Sequence, residues 1–149
     1  MITPKGVMSH TRSAIRTICF IALVGFIWYT LNSTVFGRET YSEYKFKELP
    51  FWSYVAIYNG KTVLIKENLL NVALFVPIGY LLFFLMSKRS WWKASLFGFG
   101  LSVCIEIMQL IGKRGTCEFD DVFHNTIGCL IGYYVACGVV MLYNREKNV

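Results

Sequence analysis

Four runs of apolar residues constrain this chain more than any other feature. They lie near Ala14–Phe36, Asn68–Met86, Ala94–Ile111 and Val122–Tyr143. Each approaches the roughly 20 residues needed to cross a hydrocarbon core about 30 Å thick. Arg16, at the edge of the first run, is the one lysine or arginine within them. A soluble protein can bury one such helix. Here 55% of 149 residues are hydrophobic, and too little polar sequence remains to cover four. The expected fold is an all-α membrane protein with four transmembrane helices, forming one domain over residues 1–149. The first run follows Lys5, Arg12 and Arg16, like the start of a signal peptide. It is long, and Trp28, Tyr29, Asn32 and Ser33 follow without a small-residue cleavage pattern. An uncleaved first anchor is therefore expected.

Basic residues set the expected orientation. Lys5, Arg12 and Arg16 precede the first span, Lys88, Arg89 and Lys93 occupy the second connection, and Arg145 and Lys147 follow the fourth span. The opposite side carries seven basic residues, five of them in a long first connection beside Glu39, Glu43, Glu48 and Glu67. The bias places both termini in the cytoplasm. It also accounts for the +6 net charge without a clustered basic face, so nucleic acid is not an expected partner. Cys19, Cys104, Cys129 and Cys137 fall within spans, where cysteine acts as a small hydrophobe. Cys117 stands in a connection, and its plain reading is an ordinary loop residue. No CxxC pair suggests zinc or a disulfide framework, and no cofactor or metal is expected.

The first connection contains LPFWSYVAIYNG, residues 49–60. Its aromatic residues suit a headgroup layer, and Asn59-Gly60 signals a turn. A short interfacial aromatic segment is expected there, serving as an anchor or as a lid over whatever lies beneath.

Polar residues inside the spans raise the functional question. With the topology above, Asn68 and Asn71 stand near the outer end of the second span. Glu106 lies about 7 Å and Gln109 about 3 Å below the outer end of the third, at 1.5 Å per residue. Asp121, His124 and Asn125 begin the fourth. Three helices thus place polar groups at one level. On the third span, Ser95, Gly98, Ser102, Glu106 and Gln109 share a face. On the fourth, Asp121, Asn125, Gly128, Gly132 and Ala136 do. Gly128 and Gly132 form a small-xxx-small pattern for close helix packing. Asn71, Phe75 and Gly79 share a face of the second span. The polar groups should therefore point into the bundle. An ionised acid at mid-membrane costs roughly 2.5–3.5 kcal/mol on insertion scales. Pairing with Arg114 or protonation of Glu106 would each offset that cost. A structural network fixing helix register is one reading of these residues. An outward-facing pocket is the other.

These residues also resemble a family. NVALFVPIGYLL (71–82), the Glu106–Gln109 pair and RGTCEFDDVFHNTIGCLIGY (114–133) are together similar to the VanZ-like family of small bacterial membrane proteins. The similarity runs from about Arg38 onward. The family's polar and small positions fall on Asn71, Pro77, Gly79, Glu106, Gln109, Arg114, Asp121, Asn125, Gly128 and Gly132. The resemblance implies a protein of the bacterial cell membrane linked to the cell envelope and to resistance to the glycopeptide teicoplanin. The candidate ligand-binding residues are Asn71, Glu106, Gln109, Arg114, Asp121 and Asn125. The expected partner is a membrane lipid or lipid-linked envelope intermediate, for which a binding role needs only the pocket. The alternative is a membrane enzyme acting on such an intermediate, with Glu106, Asp121 and His124 as acid–base groups and Arg114 on a phosphate. No nucleophile motif supports it, and DDxxH (Asp120, Asp121, His124) is weak as a cation site. A transporter ranks third, because four spans without an inverted repeat are few for alternating access.

Overall fold

A computed structural model describes residues 4–47 and 49–146, with side chains described from Ser13 onward. Glu48 and Lys147, and the side chains of Lys5 and Arg12, which entered the charge comparison, lie outside the described residues. Helix α1 (Pro4–Leu31) continues into a π-helical turn, Asn32–Phe36. A three-residue strand β1 (Lys45–Lys47) and a short helix α2 (Trp52–Tyr58) follow. Then come α3 (Val63–Leu85), α4 (Trp91–Gly112), strand β2 (Thr116–Glu118) and α5 (Phe119–Glu146). Four helices are long and apolar enough to cross a membrane. The expected all-α membrane architecture is therefore present, and α2 is the short aromatic segment.

The helices outrun the apolar stretches that announced them. Helix α3 starts at Val63 rather than Asn68, carrying Lys66 and Glu67 in its first two turns. Helix α5 starts at Phe119, with Asp120 and Asp121 in its first turn and Arg145 in its last. Acids at the N-terminus and a base at the C-terminus suit the helix dipole, so helical hydrogen bonding continues past the hydrocarbon. Helix α4 ends at Gly112, which puts Glu106 about 9 Å and Gln109 about 4.5 Å from its end. Strands β1 and β2 were not anticipated. They pair in parallel, with Phe46 opposite Cys117. Three residues are too few to show a period of two, and the partners are distant in sequence.

The core is a seam between α3 and α5 without side chains in its way. A Cβ on Gly79 would lie 1.8 Å from the Cys129 carbonyl oxygen. On Gly128 it would meet the Val72 carbonyl at 2.1 Å, and on Gly132 the Val76 carbonyl at 1.9 Å. The helix backbones are in direct contact, as small-residue motifs permit. Phe75, Ile78, Leu82, Ile105 and Cys129 fill the space beside this seam, with Leu23 and Val35 from the first helical segment. Phe83, Ala94, Tyr133 and Ala136 form a second cluster toward the other end. The outer faces stay apolar: Ile18 is 66% exposed and Met141 67%. In water such a surface would drive aggregation. In a bilayer it is the surface that meets acyl chains.

Candidate functional site: a mixed-charge cavity at one end of the bundle

The end of α1, the start of α3, the end of α4 and the start of α5 converge at one end of the bundle. Their polar side chains link helix to helix. Asn71 Nδ2 donates to Asp121 Oδ1 at 2.6 Å, joining α3 to α5. Asn125 Nδ2 donates to Ser102 Oγ at 2.8 Å, joining α5 to α4. Gln109 Nε2 donates to the Thr34 carbonyl at 2.9 Å, joining α4 to the π-helical turn. That turn has a local cause: the Thr30 carbonyl accepts the hydroxyls of both Ser33 and Thr34. Such side-chain bonding competes with the regular ladder, and single π turns are frequent at functional sites. Glu106, buried, accepts the Glu118 backbone N–H at 2.9 Å through Oε2 and so holds β2 against α4. Among the described residues, three buried polar atoms of this region lack a protein partner: Gln109 Oε1, Asn125 Oδ1 and His124 Nδ1.

Beside these contacts lies a cavity of about 720 Å³. Arg38, Glu67, Asn71, Glu118 and Asp121 supply its principal polar groups, and Leu70 and Leu74 of α3 its apolar wall. Of the six candidate residues from the sequence, Asn71 and Asp121 line it. Glu106, Gln109 and Asn125 stand behind it in the helix-linking contacts. Arg114 does neither: its Nη1 donates to the Phe36 carbonyl at 2.8 Å, tying the α4–β2 connection to the end of the π turn. The cation of the cavity is Arg38, whose charge acts on both Glu106 and Asp121. Gly115 makes room for it. A Cβ there would sit 2.9 Å from Arg38 Nη1, and the Gly115 φ of +140° is one that other residues rarely adopt. Sequence reasoning missed Arg38 because an arginine following a first span looks like any loop charge.

The charges are unequal. Against one guanidinium stand the carboxyls of Glu39, Glu67, Glu118 and Asp121. Burial pushes the Glu118 carboxyl above its ordinary range, and Asp120 and Glu67 add to the effect. The Trp52 indole N–H, 2.8 Å from Glu118 Oε2, pulls the other way, as does Lys47. Cys117 is next to this acidic group. Burial raises its thiol, and Glu106, Asp121 and Glu118 raise it further. A thiol held protonated is a poor nucleophile, which favours the plain reading of Cys117.

Asp120 and His124 serve α2. Asp120 is fully buried. Its Oδ1 accepts the Phe51 N–H at 2.5 Å, and its Oδ2 accepts the Ser53 N–H at 2.9 Å and the Ser53 hydroxyl at 2.5 Å. Asn68 donates to the same hydroxyl at 3.2 Å. His124 Nε2 and the Tyr54 hydroxyl are 2.8 Å apart, with their rings stacked at 5.6 Å. Phe51 has a left-handed φ of 60° and packs edge-on against Phe119 and Phe123. The aromatic segment is thus docked on the starts of α3 and α5. None of its residues lines the 720 Å³ cavity; it reaches that cavity through the Trp52–Glu118 bond. Asp120 and His124 are committed to these contacts, so DDxxH does not converge on a shared centre. Among the described residues, no three His, Cys, Asp or Glu side chains stand together in a metal-binding arrangement.

Comparison with known proteins places this geometry in context. A family model described as VanZ/LLP1 matches residues 17–142. Protein VanZ of Enterococcus faecium is 27% identical over 117 residues, covering 78% of this chain and 70% of that protein. No solved structure gives a significant match.

Proposed function

Because this chain belongs to the VanZ/LLP1 family, we propose that it is a multi-pass protein of the bacterial cell membrane that binds a lipid or lipid-linked envelope intermediate in its mixed-charge cavity. One observation carries this reading. Arg38 lines one cavity together with Asp121, Glu118 and Glu67, and Leu70 and Leu74 of α3 give that cavity an apolar wall. A guanidinium suits a phosphate, being planar and always charged. Excess carboxylates suit an ammonium, and the Asn71 amide both donates and accepts. A headgroup with both signs of charge and attached acyl chains fits all of these. By resemblance to VanZ-like proteins, the phenotype to measure is teicoplanin susceptibility. The test uses cells producing Asp121→Asn and Glu106→Gln variants, with membrane abundance measured in parallel. Each substitution keeps shape and an acceptor oxygen while removing an ionisable carboxyl, and a structural network tolerates a neutral amide. The expected result is normal abundance with the susceptibility phenotype lost. Unchanged phenotype at normal abundance would remove both carboxylates from the function.

In this reading both termini are cytoplasmic and the cavity opens outward. The support is the basic KRSWWK stretch, which runs from the α3–α4 connection into the first turn of α4, set against the acid-rich first connection. Cysteines placed singly at Tyr58 and Lys113, in a cysteine-free background, should react with an impermeant maleimide on intact cells. A cysteine at Ser90 should react only after permeabilisation. The reverse pattern, with Ser90 labelled on intact cells and Tyr58 and Lys113 labelled only after permeabilisation, would overturn this topology.

A further inference from the structure

The end of the bundle remote from the acidic cavity carries a second cleft, of opposite charge. It measures about 550 Å³ and is lined by Ile15, Arg16, Phe84, Met86, Ser87 and Arg89. Arg16, Arg89 and Ser87 are among its lining residues, and none of the described lining residues is acidic. We infer that this cleft binds the phosphate of an anionic membrane lipid, Arg16 and Arg89 holding the headgroup and Ile15, Phe84 and Met86 the start of the acyl chains.

The geometry holds both arginines in place while leaving donors for a ligand. Arg16 Nη2 donates to the Leu85 carbonyl at 3.2 Å and to Ser87 Oγ at 2.8 Å. These bonds anchor α1 to the C-terminal end of α3 through one nitrogen. Both bidentate edges of a guanidinium include Nη2, so the Nε and Nη1 hydrogens of Arg16 remain as separate donors, each able to meet one phosphate oxygen. Arg89 lies with Cζ 4.4 Å from the centroid of the Phe83 ring. Phe83 is itself fixed in the core. At this distance the cation is attracted to the negative face of the ring. These contacts restrain the two side chains before any ligand arrives, which lowers the ordering cost of binding.

The apolar lining selects a lipid over a soluble phosphate. Ile15 is 47% exposed and leads along α1 to Ile18 and Ile21, both more exposed still. A headgroup seated on the arginines would have its chains beside that apolar strip. Basic pockets between membrane helices are a recognised setting for anionic headgroups. The leaflet follows from the orientation of the chain. The lipid assignment itself depends neither on that orientation nor on the acidic cavity.

The purified full chain is exposed to equal amounts of dioleoyl phosphatidylglycerol and dioleoyl phosphatidylcholine, and bound lipid is resolved by native mass spectrometry. The wild-type protein should retain phosphatidylglycerol preferentially. Arg16→Gln/Arg89→Gln should lower the ratio of bound phosphatidylglycerol to phosphatidylcholine about tenfold, because each basic group near the surface contributes strongly to anionic-lipid attraction. Lys88→Gln/Lys93→Gln removes the same charge from the same end of the bundle outside the cleft and should change the ratio less than about twofold. Equal losses in the two double variants would mean diffuse attraction and overturn the site. If the arginine variant does not fold, Ser87→Glu provides the same test. Ser87 is an exposed residue, and a carboxylate there should occupy Arg16 and displace the lipid; undiminished retention would also overturn the proposal. Glycerol 3-phosphate at the lipid's concentration should not compete. Displacement by it would assign the cleft to a soluble phosphate instead.

Discussion

Gly132→Ala is expected to cost about 3 kcal/mol or more, the upper end of what overpacking a filled interior does. The added Cβ would lie 1.9 Å from the Val76 carbonyl oxygen and 2.8 Å from the Tyr80 nitrogen. Both obstacles are backbone, so no side chain can swing aside. Helices α3 and α5 would have to part by about 1.5 Å, from 1.9 Å to the 3.4 Å where ordinary contact begins. That motion would loosen the seam at Gly79 and Gly128 as well. It would also draw Asn71 away from Asp121 at the cavity. The measurement is the thermal unfolding midpoint in detergent, with membrane abundance alongside. Gly25→Ala, Gly100→Ala and Gly138→Ala are the comparison, because a Cβ at each meets nothing within 4 Å. Those should be neutral or gain up to about 1 kcal/mol from helix propensity. A Gly132→Ala protein as stable as the wild type would show that the seam is not in contact.

The second large effect is expected from Asp120→Ala, which should free α2 while leaving the four long helices in place. The carboxylate accepts two backbone N–H groups and one hydroxyl. Each donor left unsatisfied in a buried place costs about 1–3 kcal/mol. Water can reach this end of the bundle and recover part of that, so a loss of about 2–4 kcal/mol in local stability follows. Phe51 adds to it, since a left-handed backbone at a residue with a Cβ costs about 1–2 kcal/mol and is held by the same bonds. Hydrogen exchange over residues 51–58 should rise sharply, and protease cleavage between residues 49 and 61 should appear. Asp120→Asn should be intermediate, because an amide keeps one acceptor oxygen but turns donors toward donors. Exchange in α2 unchanged by Asp120→Ala would mean that the aromatic contacts of Phe51 with Phe119 and Phe123 hold the segment alone.

The sequence and the tertiary structure contribute differently at each of these places. Gly128 and Gly132 were readable as a packing stripe because one helix displays its own period. Asn71, Phe75 and Gly79 were readable as one face of α3, but that Gly79 meets Cys129 of α5 is decided by the tertiary structure. Glu106 and Gln109 were readable as polar groups on a buried stripe, and both are buried. Arg38 and Asp120 were not legible in the same way. Each is an ordinary loop or helix-start charge in sequence, and each acquires its role from a segment far along the chain. Arg38 lies against Gly115, and Asp120 accepts bonds from Phe51 and Ser53.

What the sequence determined by itself was the membrane class, the number and approximate limits of the long helices, and the faces they turn to one another. Those properties come from burial and from the helical repeat, which act residue by residue along one segment. What only the tertiary structure decided was which polar groups meet: Asn71 with Asp121, Gln109 with the Thr34 carbonyl, Glu106 with the Glu118 N–H, and Arg38 in place of Arg114 at the cavity. The physical reason is range. Hydrophobic burial is non-directional and legible from composition. A hydrogen bond or a guanidinium in a cleft requires distances near 3 Å and a set direction, and those arise only once connections such as β1 and β2 have closed.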